Sequence, residues 1–359
     1  MKKQYRVLLT SCLILSFPMT VVFCISLLYL IGRPTSYVWV MDGGLYKNET
    51  YLVKMCPTGE RLLQIQFGQS GEIGIDPAKD IIWAPEGGDR DQIHYDQVIQ
   101  IDQDGEILNR FQGYSSPILA LDANDGSVWV STWNSMGQHS LMTKIASNGK
   151  LIRRVRGFYL PSAVALDPRD GSIWVADGGN RNITHHSREG EKLFEMPVSS
   201  YFFSNAPDQI AVDPENGDVW FTTAAGTIHK MSADGEMLIE TGGLSSPVAV
   251  AINPVNGNVW VADYDLGDSG ALVKLDPQGN IILVQALPGH AHTAAINPFD
   301  GALWVGVDGE MIRYDDDGGV ADRESGFTEP ESIAFADRGN DLRAEIKCTY
   351  HFYADMLSK

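Results

Sequence analysis

The sequence predicts an all-β fold, a seven-bladed β-propeller, on three observations. A tryptophan returns about every 44 residues, a glycine turn follows each tryptophan at the same period, and the opening strand missing from the head of the chain stands at its tail. One N-terminal transmembrane helix is expected in front of the propeller.

The first column is read from DPAKDIIWAPE at Asp76, DANDGSVWVST at Asp122, DPRDGSIWVAD at Asp167, DPENGDVWFTT at Asp213, NPVNGNVWVAD at Asn253 and NPFDGALWVGV at Asn297. With YVWVMDGG near the start it comprises Trp39, Trp83, Trp129, Trp174, Trp220, Trp260 and Trp304, and of the eight tryptophans only Trp133 falls outside it. The second column is Gly59, Gly105, Gly149, Gly190, Gly235, Gly279 and Gly318. A short alternating segment, such as SLMTKI or ALVKL, precedes each of these glycines and another, such as GEILNRF or NIILVQAL, follows. Each repeat therefore reads as four short antiparallel strands joined by Asp-Pro-x-Asn/Asp-Gly and Asp-Gly turns, the pattern of a propeller blade.

Seven blades, rather than six or eight, follow from matching the halves. The unit at Trp39 lacks an opening strand, and Pro330–Ala336 aligns with the opening strands that begin at Pro161 and Pro247. Joining head to tail closes the ring and removes an open sheet edge. The opening strands also carry a small-residue column, Gly74, Ala120, Ala165, Ala211, Ala251, Ala295 and Ala334, expected where strands crowd at the axis and face the channel. The tryptophans are assigned to packing between blades. The domains are a cytoplasmic tip and signal-anchor over 1–33, the propeller over 36–337 and a C-terminal tail over 338–359.

The composition fits this reading: 44% hydrophobic residues supply a core, while 36 glycines and 17 prolines supply turns. The net charge is -19, and residues 1–33 contribute Lys2, Lys3, Arg6 and Arg33 without an acid, so the remainder is more acidic still. Such a surface repels phosphate backbones and excludes nucleic-acid binding. Lys2, Lys3 and Arg6 precede an uncharged, mostly apolar run over 7–32. A cleaved signal peptide and a retained anchor compete for this run, and its length and the lack of an A-x-A site favour the anchor. The expected protein is single-pass, with its N-terminus cytoplasmic and its propeller periplasmic or extracellular.

Units such as PSAVALDPRDGSIWVADGGNRNITHHSREGEKL resemble NHL-type propeller repeats, and WFTTAAGTIHKMSADGEM resembles the blades of virginiamycin B (streptogramin) lyase. The resemblance covers residues 36–337. It implies a propeller; for the lyase, it implies histidines and a carboxylate with a divalent ion near the axis. Related propellers serve as scaffolds, sensors, lyases and lactonases, so the fold does not carry the function. Lactonase-type propellers hold a central calcium with carboxylates and amides, which a channel lined by alanine and glycine could not do.

Loops on one face of such a propeller would bring together His94, Trp133, His139, Asn180, Tyr264, Asp265, Asp268, His290, His292 and Glu331. His290 and His292, just before an inner strand, could hold a metal or exchange protons, and His290, His292 and Glu331 form the candidate catalytic set; solvated loop histidines are the alternative. His185 occupies a column otherwise filled by Lys54, Gln100, Lys144, Lys230, Lys274 and Arg313, taken as an exposed strand face, so it reads as a lysine replacement rather than half of a metal pair with His186. Asp263, Asp265 and Asp268 lack calcium-loop spacing and read as a solvated acidic loop. Cys56 and Cys348 flank the closing blade and could form a disulfide in an oxidising compartment. The functional expectation is a membrane-tethered extracytoplasmic binding or scaffold module for a protein, glycan or small-molecule ligand, rather than an enzyme. The alternative is a metal-dependent lyase or hydrolase resembling virginiamycin B lyase, with a divalent cation as its cofactor.

Overall fold

The computed structural model describes residues 36–43, 50–68, 71–86, 97–114, 118–132, 140–198, 206–267 and 269–337. They form seven four-stranded antiparallel sheets. The closing blade consists of β1 (Ser36–Asp42), β2 (Thr50–Met55) and β3 (Arg61–Phe67), completed by β28 (Pro330–Asp337). The first blade that is continuous in the chain is β4 (Gly74–Asp76), β5 (Ile81–Glu86), β6 (Gln97–Ile101) and β7 (Ile107–Gln112). The second is β8 (Leu119–Asp122), β9 (Ser127–Thr132), β10 (Ser140–Ile145) and β11 (Leu151–Phe158). The third is β12 (Pro161–Leu166), β13 (Ile173–Asp177), β14 (Asn182–His186) and β15 (Lys192–Pro197). The fourth is β16 (Pro207–Val212), β17 (Val219–Thr223), β18 (Thr227–Met231) and β19 (Met237–Thr241). The fifth is β20 (Pro247–Ile252), β21 (Val259–Asp263), β22 (Ala271–Leu275) and β23 (Ile281–Ala286). The sixth is β24 (Ala291–Ile296), β25 (Leu303–Val307), β26 (Glu310–Tyr314) and β27 (Val320–Ser325).

The ring closes as the repeat predicts. β28 pairs antiparallel with β1, setting Trp39 opposite Ala334 and Val40 opposite Ile333. In every blade the column tryptophan faces its small partner on the inner strand, from Gly74 opposite Trp83 to Ala295 opposite Trp304. All seven indoles are at most 1% exposed. The small column is small because the neighbouring inner strand is close: a Cβ on Gly74 would stand 3.1 Å from Leu121 Cβ in the next blade. It therefore packs between inner strands and is not the sole lining of the channel, which corrects the expectation of an alanine and glycine wall.

The cation column is also corrected. Lys54, Lys144 and Lys274 are 3 to 5% exposed, not on an open strand face. Each pairs across the sheet with the tryptophan of its blade. The Lys274 ammonium lies 4.8 Å from the Trp260 ring centre, and those of Lys54, Lys144 and Lys230 lie 5.5 to 5.7 Å from Trp39, Trp129 and Trp220. The heads continue into the next blade, where Lys54 donates to the Gln103 carbonyl at 3.2 Å and Lys144 to that of Arg188 at 3.1 Å. Stems cover indoles while the heads tie consecutive blades together. His185 does replace the lysine in this column, stacking on Trp174 at 3.9 Å and 8° and bonding Ser172 Oγ at 2.9 Å.

The transmembrane helix expected over 7–32 and the tail over 338–359 lie outside the described residues, and among the described residues no helix is long and apolar enough to cross a membrane. Cys56 is buried and disulfide-bonded; Cys348 lies outside the described residues.

Removing an indole should open a cavity, so Trp260→Ala is expected to cost about 3–5 kcal/mol. Lys274→Met keeps the stem but loses the ammonium, with an expected cost of about 1–2 kcal/mol. Urea denaturation midpoints check both, and a Lys274→Met variant as stable as the wild type would assign the column's contribution to the stem alone.

Candidate functional site

The loops that enter the inner strands are shaped by carboxylates at the ends of the second strands. Asp42 Oδ1 accepts the amides of Thr328 and Glu329, Asp177 that of Tyr159, and Asp263 those of Ser245 and Ser246, all at 2.8 to 3.2 Å. Asp263 is fully buried in this role, which corrects its reading as part of a solvated acidic loop. Burial raises the Asp177 carboxyl to about 6, although hydrogen bonds from Tyr159 and Asn180 oppose it. Asn180 of the predicted face is held here, donating to Asp177 at 2.7 Å and to the Gly157 carbonyl at 2.9 Å.

In the sixth blade the carboxylate stands one residue later, beyond β25, and does more. Asp308 accepts the His290 amide at 3.0 Å, His290 Nδ1 at 2.9 Å and His292 Nε2 at 2.7 Å. Burial would raise this carboxyl, but the hydrogen bonds from His292 and His290 outweigh it and hold it at about 2. Tyr264 completes the cluster, stacked on His290 at 4.5 Å and meeting His292 edge-on at 5.7 Å. A carboxylate can only accept, so each bonded ring nitrogen carries the proton, and the lone pair of His292 resides on Nδ1.

This cluster borders a cavity of about 460 Å³ at the axis, lined by Glu72, Gln209, Tyr264, His292, Glu331 and Ser332 among others. His292 and Glu331 of the predicted set thus share one cavity, with Tyr264. His290 stands beside it, tied to Asp308 and Tyr264. Asp265 lies on the exposed loop after β21, and His94, Trp133, His139 and Asp268 lie outside the described residues.

Sequence reasoning missed two residues. Asp308 follows Trp304 by one position more than Asp42, Asp177 and Asp263 follow their tryptophans, a displacement visible in WVGVD beside WVAD. Glu72 stands two residues before the small column, where the other blades carry Ile118, Ala163, Gln209, Ala249, Thr293 and Ser332, so it is the one ionisable group of its column. Its carboxylate accepts the Leu119 amide at 2.9 Å, and Ser332 Oγ accepts the neighbouring Ile73 amide at 3.1 Å. Burial pushes Glu72 up to about 7, the Leu119 hydrogen bond opposing.

The polar lining does not make a calcium set. Among the described residues no group of three or more His, Cys, Asp or Glu side chains is placed to hold a metal ion. Burial favours the neutral form of Glu72, which suits a proton donor better than a ligand, and each imidazole spends one nitrogen on Asp308.

The chain is similar in structure to several solved propellers. A candidate 6-phosphogluconolactonase from Bacteroides uniformis aligns over 84% of this chain and 100% of its own, with a TM-score of 0.67 and 12% identity. One from Bacteroides fragilis aligns over 84% and 98%, with a TM-score of 0.67 and 13% identity. The periplasmic gluconolactonase of Pseudomonas aeruginosa aligns over 84% and 99%, with a TM-score of 0.66 and 13% identity. No family model and no curated relative matches the chain. At such identities the likeness shows the fold.

These comparisons correct three expectations. Three of the similar propellers are described as gluconolactonases, two of them as candidates, and no family model matches the chain, so the resemblance to NHL repeats and virginiamycin B lyase is set aside: the blade motifs carry the fold and not the family. The leaning away from an enzyme is set aside because three of the similar proteins are described as gluconolactonases, two of them as candidates. The single-pass membrane assignment is set aside on the similar protein described as periplasmic; the apolar run over 7–32 that suggested it lies outside the described residues.

Glu72 gives a pH signature independent of any substrate. Its folded value lies above the ordinary 4.5, so its destabilising effect grows as pH rises from there to about 7 and is then constant. Glu72→Gln does not titrate, so the melting temperature of the wild type should fall relative to the variant across that window. A constant difference between the two would show that Glu72 ionises normally.

Proposed function

We propose that this propeller is a hydrolase that opens a small, neutral cyclic ester of the sugar-lactone class in the cavity at its axis. The observation that carries the proposal is His292, held by Asp308 at 2.7 Å while lining the cavity that also contains Glu72. Lactone hydrolysis needs a base to take a proton from water and an acid to protonate the departing ring oxygen. His292 Nδ1 receives the water proton as the water oxygen bonds to the carbonyl carbon. Asp308, ionised at any working pH, fixes the tautomer and stabilises the imidazolium that forms. When the ring carbon–oxygen bond breaks, the neutral Glu72 carboxyl gives its proton to the alkoxide. Proton exchange between His292 and Glu72 through water then restores both groups.

The described lining contains no lysine or arginine and includes the carboxyl groups of Glu72 and Glu331. A phosphorylated substrate would bury its dianion without a cation, so a neutral polyol ring fits better. Tyr264 offers that ring an aromatic wall. The similar proteins described as gluconolactonases support the reaction class, and the disulfide-bonded Cys56 agrees with an extracytoplasmic setting.

With D-glucono-1,5-lactone as substrate, and the uncatalysed rate subtracted, His292→Ala should lower kcat/KM by about 10²-fold or more with an unchanged circular dichroism spectrum. The wild-type kcat/KM should fall as pH rises through about 7, where Glu72 loses its proton, and Glu72→Gln should abolish that limb. Wild-type turnover by His292→Ala would remove the proposal.

A further inference from the structure

In a chain of net charge -19, cations should find partners easily, and nearly all do. Among the described residues, lysines and arginines engage carboxylates, carbonyls, a hydroxyl or aromatic rings: Arg110 meets Glu86, Arg188 meets Asp122 and Asp125, Arg313 meets Asp300, and Lys79 meets Ser147. The exceptions are Lys150, Arg153, Arg154 and Arg156, whose side chains make no ion pair, hydrogen bond or ring contact, although Arg154 acts electrostatically on Tyr114. All belong to one run of seven residues, on or next to β11.

β11 is the outer strand of the second blade, in a sheet ordered β11-β10-β9-β8, so one side of its backbone has no neighbouring strand in the sheet. It is eight residues long, longer than the outer strand of any other blade. The three arginines are exposed, and Leu151 and Ile152 beside them are 45% and 52% exposed. Gly157 near its end is open enough that an added Cβ would meet nothing within 4 Å.

Charges on an edge strand commonly serve to keep edges from pairing. That need does not account for β11, because β23 is an outer strand with exposed Ile281, Ile282 and Val284 and no charge at all. We propose that β11 is a docking edge for an extended acidic segment of a partner protein, which adds as a fifth strand and sets carboxylates against Arg153, Arg154 and Arg156. Arg154 and Arg156 lie on one face of the strand and Arg153 on the other, so an added strand with acids on both faces is met on both. The added backbone supplies affinity and the arginines select for acidic sequence. An anionic bilayer fits less well, since the body as a whole is strongly acidic and the arginines do not share one face.

The test uses a fluorescent decapeptide of alternating valine and glutamate, its lysine counterpart, and vesicles of phosphatidylcholine with about 30% phosphatidylglycerol. The acidic peptide should bind the wild type saturably, lose about tenfold or more in affinity to Arg153→Glu/Arg154→Glu/Arg156→Glu, and weaken as salt rises to about 0.5 M. Arg154→Gln/Arg156→Gln, which changes only exposed side chains, should show a smaller loss in the same direction with an unchanged melting temperature. Equal affinity of wild type and both variants, binding of the lysine peptide, or binding of vesicles alone would each overturn the proposal.

Discussion

Each indole of this ring sits between a small residue on the inner strand and a side chain on the third, a long stem in six blades and the His185 ring in the other, and the dimensions of the molecule follow from that three-strand contact. A larger residue at Ala251 or Ala334 would press the inner strand into its neighbour, and the loss of a stem such as Lys274 would uncover the outer side of the ring. The indoles fill the wedge between blades, where a propeller widens from axis to rim, and burial of so much aromatic surface dominates the packing. The lysine heads then reach the outer turn of the following blade, so the same side chains that cover the indoles also join neighbouring blades. With the blades fixed in this way, the inner strands enclose a cavity whose shape does not depend on a bound partner.

The site is built by small departures from a repeated scheme. Carboxylates at Asp42, Asp177 and Asp263 hold loops by accepting backbone amides. Displacement by one residue lets Asp308 keep the loop amide and take two imidazoles as well. Glu72 is a comparable departure just before the inner strand of another blade, a carboxyl in a column of neutral side chains. Two carboxyl groups with opposite shifts arise from one scaffold because burial outweighs the single Leu119 hydrogen bond at Glu72, while the hydrogen bonds from His290 and His292 outweigh burial at Asp308.

The ring was legible in the sequence because it is periodic: Trp39, Ala334 and their counterparts align by eye, and the unmatched half-blade at each end dictates closure. The burial of Lys54, Lys144 and Lys274 was not legible, since lysine in a strand reads as solvent-facing unless the indole beneath its stem is considered. His292, Glu331 and Tyr264 could be shortlisted from their places at the ends of strands on one face of the ring. Asp308 and Glu72 were missed because their signals are departures from their own columns, a one-residue displacement and a lone carboxyl, which gain meaning only once Asp308 is seen bonded to His290 and His292 and Glu72 is seen buried. The family signal misled for a related reason. Turn glycines and core tryptophans are demanded by blade geometry, so they recur in propellers of unrelated activity.

Closure between β1 and β28 has a consequence for biosynthesis. The ribosome delivers the closing blade's first three strands early and its fourth nearly three hundred residues later, an interval of about 15–60 s at ordinary elongation rates. Through that interval β1 presents an unpaired edge rich in valine and aromatic residues, the kind that recruits strands from other chains. Escape from aggregation during synthesis thus depends on whatever shields that nascent edge until the final strand arrives.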